Sequence, residues 1–138
     1  GVDEIFVGLN DLHISMGLTF MFELLSGGVV EYIAKKCNKA NIPFGFGGIA
    51  RIGEGMLPSD YILGEHMRLG STSVILSRTF KGVVGVDANA RPVNLKEEVD
   101  KVRNKLDEIS AWTESDHVEN KKLIADAVDA VVTKISTR

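Results

Sequence analysis

The chain has 138 residues, 44% hydrophobic and 25% charged, with a net charge of −3, which describes one ordinary globular domain large enough for a core. The charge gives no reason to expect nucleic acid or an anionic membrane as partner, and no apolar run approaches the ~20 residues of a membrane-spanning helix. One cysteine, Cys37, excludes an internal disulfide and fits a reducing, cytoplasmic setting.

No basic segment followed by an apolar one marks a signal peptide. The chain opens Gly-Val-Asp without Met and reaches its first strand almost at once, as a piece cut from something longer would. Residues 5–13 read IFVGLNDLH. The short apolar run Ile5, Phe6, Val7, broken at Gly8, predicts a buried strand. Asn10, Asp11 and His13 then fall on a loop at its carboxyl end, where parallel sheets collect their functional groups. Asp11 there would bind a hard divalent cation or act as a base; equally, it would cap a helix or brace a turn. His13 is a second ligand, a proton carrier, or a hydrogen-bonded structural residue.

A loop over 14–18 precedes a short helix, 20–25, capped by Thr19 and closed by Ser26-Gly27-Gly28. An amphipathic helix follows over 29–40. Val29, Val30, Ile33, Ala34 and Cys37 lie on its inner face, and Asn41 is its stop. Cys37 reads as a small core residue rather than a nucleophile. Residues 44–49, FGFGGI, are the second strand. Its glycines let a ligand or neighbouring backbone come close.

The run from Arg51 to Gly55 has the glycine density of an anion cradle, or simply of a tight strand-to-helix turn. Pro58 starts a helix that reaches Leu69 and ends at Gly70. Its buried side is Ile62, Leu63, His66, Met67 and Leu69. Residues 73–77, SVILS, are the third strand, with Arg78 at its exit. Arg51 and Arg78 each follow a strand, where an arginine would clamp an anion or pair with a surface acid.

After a loop over 81–92, Asn94 and Glu97 form a loose capping box. Leu95, Val99, Val102, Leu106 and Ile109 make a helical seam. A break at 112–115 leads to a last helix with the stripe Leu123, Ile124, Ala127, Val128, Val131, Val132 and Ile135. These two helices would pack on each other, on the β/α part, or on a second subunit. His117 carries no signal.

Three strands separated by helices imply parallel pairing, and apolar strands such as 73–77 want cover on both faces. Two crossover helices supply that poorly. The first part is therefore a small open α/β layer or a piece of a larger closed one.

Residues 1–80 resemble the last third of the HpcH/HpaI aldolase and citrate-lyase β-chain family, which are (β/α)8 barrels. The matching stretch is VDEIFVGLNDL, in which Gly8, Asp11 and Leu12 fit a Gly-x-x-Asp-Leu signature. The family often has Pro-Ala where this chain has Leu9 and Asn10, so the subfamily stays open. The stretch RLGSTSVILSR resembles the end of the barrel. The resemblance implies a fold: the last three parallel strands of an incomplete (β/α)8 barrel over 1–80, with a loop and helical extension over 81–138.

It also implies chemistry. Asp11 would ligate Mg²⁺ or Mn²⁺, and backbone N–H groups of Gly8, Leu9 and Asn10 would hold the carboxylate of a pyruvate-type 2-oxo acid. The metal would stabilise an enolate as a C–C bond is made or cleaved. The family's partner Glu and catalytic Arg belong to earlier strands, so the fragment alone is expected to be inactive. Two other readings stand beside this one. One is a non-catalytic α/β module that associates through its C-terminal helices, and the other a phosphate-binding barrel segment around Gly47–Gly55. Homo-oligomerisation is expected from the strand edges and the long apolar tail.

Overall fold

The structure, a computed structural model, describes residues 3–47, 57–75 and 94–136. The strand predicted at 5–7 forms as β1 (Ile5–Val7), and the one predicted over 44–49 forms as β2 (Phe44–Phe46), with 48–49 outside the described residues. They pair in parallel, Ile5 opposite Phe44 and Val7 opposite Phe46. Gly45 pairs with Phe6 on one side and bridges Ser73 in parallel on the other, so β2 is central. A Cβ at Gly45 would run into the Ser73 backbone and hydroxyl. Only glycine permits so close an approach.

Side chains of successive strand residues alternate between faces. One face carries Val7, Phe44 and Phe46, all buried in the core. Each phenylalanine contributes about 1.5–3 kcal/mol by leaving water. The other face carries Glu4, Phe6, Gly45 and Ser73, with the Ser73 hydroxyl donating to Glu4 Oε1 at 3.1 Å. On this face Phe6 is 39% exposed, and nearby Ile75 is 55% exposed.

Helix α1 (Leu9–Ser15) follows β1 directly, where a loop was expected through Leu18. Gly8 is its extended N-cap and accepts the first helical bond from Leu12 N at 3.0 Å. Leu9 is buried, and Leu12 packs on the core one turn later. That spacing of three is the signal for one apolar face. The next helix, α2 (Glu23–Ser26), is shorter and later than predicted. The carboxylate of Glu23 reaches back to accept from Thr19 N and Phe20 N, both at 2.8 Å, and so holds the preceding turn.

Helix α3 (Val29–Lys39) buries Val30, Ala34 and Cys37 as its periodicity required. It ends where predicted. Asn41 takes a left-handed φ of 57°, with Ile42 N bonded to Cys37 O and Asn41 N to Asn38 O. This pair of bonds satisfies the last carbonyls of the helix. Helix α4 (Ser59–Leu69) ends the same way at Gly70, whose φ is 81°, with Ser71 N on His66 O. Asn38 Nδ2 donates to Leu69 O and ties the two helix ends together.

The tail forms α5 (Leu95–Ser110) and α6 (Glu114–Ser136). Asn94 Oδ1 accepts from Glu97 N, the predicted cap. Between them Thr113 and Asp116 cap reciprocally, Thr113 N to Asp116 Oδ2 at 2.9 Å and Asp116 N to Thr113 Oγ1 at 3.3 Å. Both helices pack on α4 and the second also on α2; Val102 and Ile109 of α5 and Ile124 and Val128 of α6 are buried in the core. So α4 is covered by α3, α5 and α6, and it buries Gly64, Glu65 and His66 as well as Ile62, Leu63 and Leu69. Met67, expected inside, is 39% exposed. In the predicted third strand, 73–77, Ser73 makes a single bridge, and 76–77 lie outside the described residues.

Candidate functional site

Asp11 lies in the first turn of α1, three residues beyond its N-cap Gly8. It is exposed and has no hydrogen-bond or ion-pair partner among the described residues. The first N–H groups of a helix have no partner within it. A carboxylate in that turn also opposes the positive end of the helix dipole. Asn10 is exposed beside it, while the Leu9 side chain is buried and fixes the turn to the core.

His13 does not converge on Asp11. Two residues on a helix are about 200° apart and face different ways. Its Nδ1 lies 3.3 Å from Leu9 O, so the proton sits on Nδ1 and the ring is tied to its own helix. Arg51 and Arg78 lie outside the described residues, as do Gly53 and Gly55.

Asp11 fits a divalent cation as one oxygen ligand. It does not make a site by itself, because Mg²⁺ demands an octahedral set of oxygens. Among the described residues no group of three or more His, Cys, Asp or Glu side chains is placed to hold an ion.

Two polar clusters lie elsewhere, and sequence reasoning missed the way they are built. Arg68 forks onto buried Glu65 through Nε and Nη2, and its Nη1 reaches Glu31 Oε1 on α3 at 2.7 Å. Lys121 on α6 adds a 3.6 Å pair with Glu31. Burial works against the Arg68 charge, but the bonds from Glu65 and Glu31 outweigh it and hold its pKa above the ordinary value. The Arg68 hydrogen bond holds the Glu31 carboxyl below the usual range, against a smaller desolvation effect. The cluster joins three helices, α3, α4 and α6. A Glu-x-x-Arg spacing at 65–68 was its one sequence signal.

His66 is 5% exposed and stacks flat on Phe46, with ring centroids 3.7 Å apart. Its Nδ1 lies 2.7 Å from Ser71 Oγ, which itself donates to Ser73 O. The hydroxyl proton is thus committed, and His66 Nδ1 must be the donor to it. Nε2 is left as a buried acceptor without a partner among the described residues. Burial lowers the His66 pKa to about 4, so the ring is neutral. This is packing at the β2–α4 contact, as expected for a histidine inside a helix.

Among the described residues no helix is long and apolar enough to cross a membrane. No protein-family model, curated protein or solved structure matches the chain.

Proposed function

We propose that this chain is the C-terminal part of a divalent-metal-dependent lyase or aldolase acting on a pyruvate-type 2-oxo acid, with Asp11 as a metal-binding carboxylate. The observation that carries the reading is Asp11 itself, an exposed carboxylate without a partner among the described residues, in the first turn of the helix that follows a strand of a parallel layer. Ligand-binding groups in parallel α/β sheets gather at that end of the strands.

The two unequal sheet faces support the barrel part of the proposal. Parallel sheets are ordinarily covered on both sides. Here the Phe44 and Phe46 face is in the core, while Phe6 remains 39% exposed on the other. In a closed barrel that second face meets side chains from the opposite strands. The bound metal would supply Lewis-acid stabilisation of an enolate oxygen. The chain's own share is to present the Asp11 carboxylate and to hold the turn at Gly8 and Leu9 rigid against the core. In the 138-residue chain a single carboxylate gives weak binding and no turnover.

The test separates binding from fold. Mn²⁺ titrated into the labelled chain should broaden amide signals around Gly8–Leu12, and Asp11→Asn should abolish the effect with an unchanged melting curve. In a longer natural chain the same substitution should abolish metal-dependent 2-oxo acid cleavage. Retained turnover in that variant would refute the assignment.

A further inference from the structure

A cleft of about 290 Å³ opens between α4, α5 and α6. Tyr61, Trp112 and Leu123 form its apolar walls, and Asn120, Glu119 and Asp116 its polar rim. We infer that this cleft binds a small organic cation bearing N–H donors, a primary arylalkylamine or a guanidinium, with the cation held at Asn120 Oδ1 and Glu119. The inference is independent of the lyase reading and uses none of its residues.

Asn120 carries the argument. It is only 4% exposed, on the inner side of α6. Its Nδ2 donates to Tyr61 O at 3.0 Å, which fixes the amide's orientation, because a carbonyl cannot accept from Oδ1. Oδ1 is left without a hydrogen-bond partner among the described residues, and it is not sealed from solvent, so it is an open acceptor on a residue that lines the cleft. An acceptor open to a cleft takes its donor from water or from a ligand. An N–H-bearing ligand would supply it.

The charge at the rim selects the sign of that ligand. The lining includes three carboxylates, Asp60, Asp116 and Glu119, and one ammonium, Lys105. Lys105 is engaged with Asp60 at 3.6 Å and Glu108 at 3.5 Å. Asp116 is occupied in capping Thr113. Glu119 is exposed and has no ion-pair partner among the described residues. An ammonium between Asn120 Oδ1 and the Glu119 carboxylate would gain both an acceptor and a counter-charge. The aromatic faces of Trp112 and Tyr61 favour a cation further. Small-molecule sites have this make-up, apolar walls with a few convergent polar atoms, and the volume sits at the lower end of their range.

Trp112 is the chain's one tryptophan, so its emission reads the site directly. Phenethylamine should change that emission saturably at millimolar concentration. Amide shift changes should be confined to Tyr61, Trp112, Asn120 and Leu123. Its N,N,N-trimethyl analogue keeps the ring and the charge but has no N–H, and should bind about tenfold more weakly because the bond to Oδ1 is lost. Asn120→Ser should weaken phenethylamine about tenfold. Should that variant fail to fold, Glu119→Lys at the exposed rim should still weaken binding severalfold and leave the melting curve unchanged. No saturable response up to about 10 mM overturns the inference, as does equal binding of the trimethyl analogue or shifts centred elsewhere.

Discussion

Gly64 offers the sharpest test of how the tail is held. It lies in the middle of α4, where helix propensity alone favours alanine by about 1 kcal/mol. The packing opposes the change. An ideal Cβ would stand 2.9 Å from Trp112 Cζ3 and 3.0 Å from Asn120 Cγ, and would collide with Asn120 Nδ2. That nitrogen makes the bond to Tyr61 O. Relief requires α6 to move off α4 or Asn120 to rotate away. Overpacking of this kind costs about 1–3 kcal/mol, and a stranded buried amide about 1–3 kcal/mol. Set against the propensity gain, Gly64→Ala should destabilise the chain by about 3 kcal/mol. Unfolding entropy near 2.1 cal/mol/K per residue makes that a fall in Tm of about 10 °C. Circular dichroism melts and urea titrations measure it. In an Asn120→Ala background the cost of Gly64→Ala should shrink by about 2 kcal/mol, since no amide is left to strand and only Trp112 remains to collide. A Gly64→Ala chain more stable than wild type would refute the close packing of α4 on α6.

Two further outcomes follow from the same packing. His66 is held neutral with its pKa near 4, whereas in the unfolded chain it titrates near 6.5. The unfolded state therefore binds the extra proton first, and the stability from His66 is complete above pH 6.5 and lost as pH falls from there through 4. The full effect is about 3 kcal/mol, and the Tm slope over that pH range should flatten in His66→Phe; an unchanged slope would show that another group drives it. The exposed apolar side chains Phe6, on the second sheet face, and Ile75 should drive self-association, most simply a C2 dimer. Mass measurement across a wide concentration range checks this, Phe6→Lys should abolish the dimer, and a wild-type monomer throughout would end the idea.

Periodicity and caps made most elements legible. The apolar spacing of α3, the stops at Asn41 and Gly70 and the cap at Asn94 are local signals, and each appears in the structure. Helix α1 is hard to see in the sequence because it is only seven residues long, and its apolar face rests on Leu9 and Leu12 alone among the polar Asn10, Asp11 and His13. Helix α4 was assigned one buried face, yet α3, α5 and α6 all pack on it. That tertiary surround is why Glu65 and His66 are inside, and no pattern within 59–69 reveals it. The cleft was illegible for the same reason. Tyr61, Lys105 and Asn120 come from three separate helices, so their convergence has no sequence spacing to show it.

The burial of Cys37 gives the molecule an internal clock. It is the chain's single thiol, 3% exposed on the inner face of α3. A thiol reagent can reach it only when α3 lifts from the core, so its labelling rate reports the free energy of that opening. Trp112, at the α5–α6 turn, reports instead on the tail. If the helices of the tail undock from α4 before the β/α half opens, mild denaturant will change the emission of Trp112 while Cys37 is still protected. If the two halves form one cooperative unit, both signals will give the same free energy, and the three-residue strands will owe their persistence to the helices behind them.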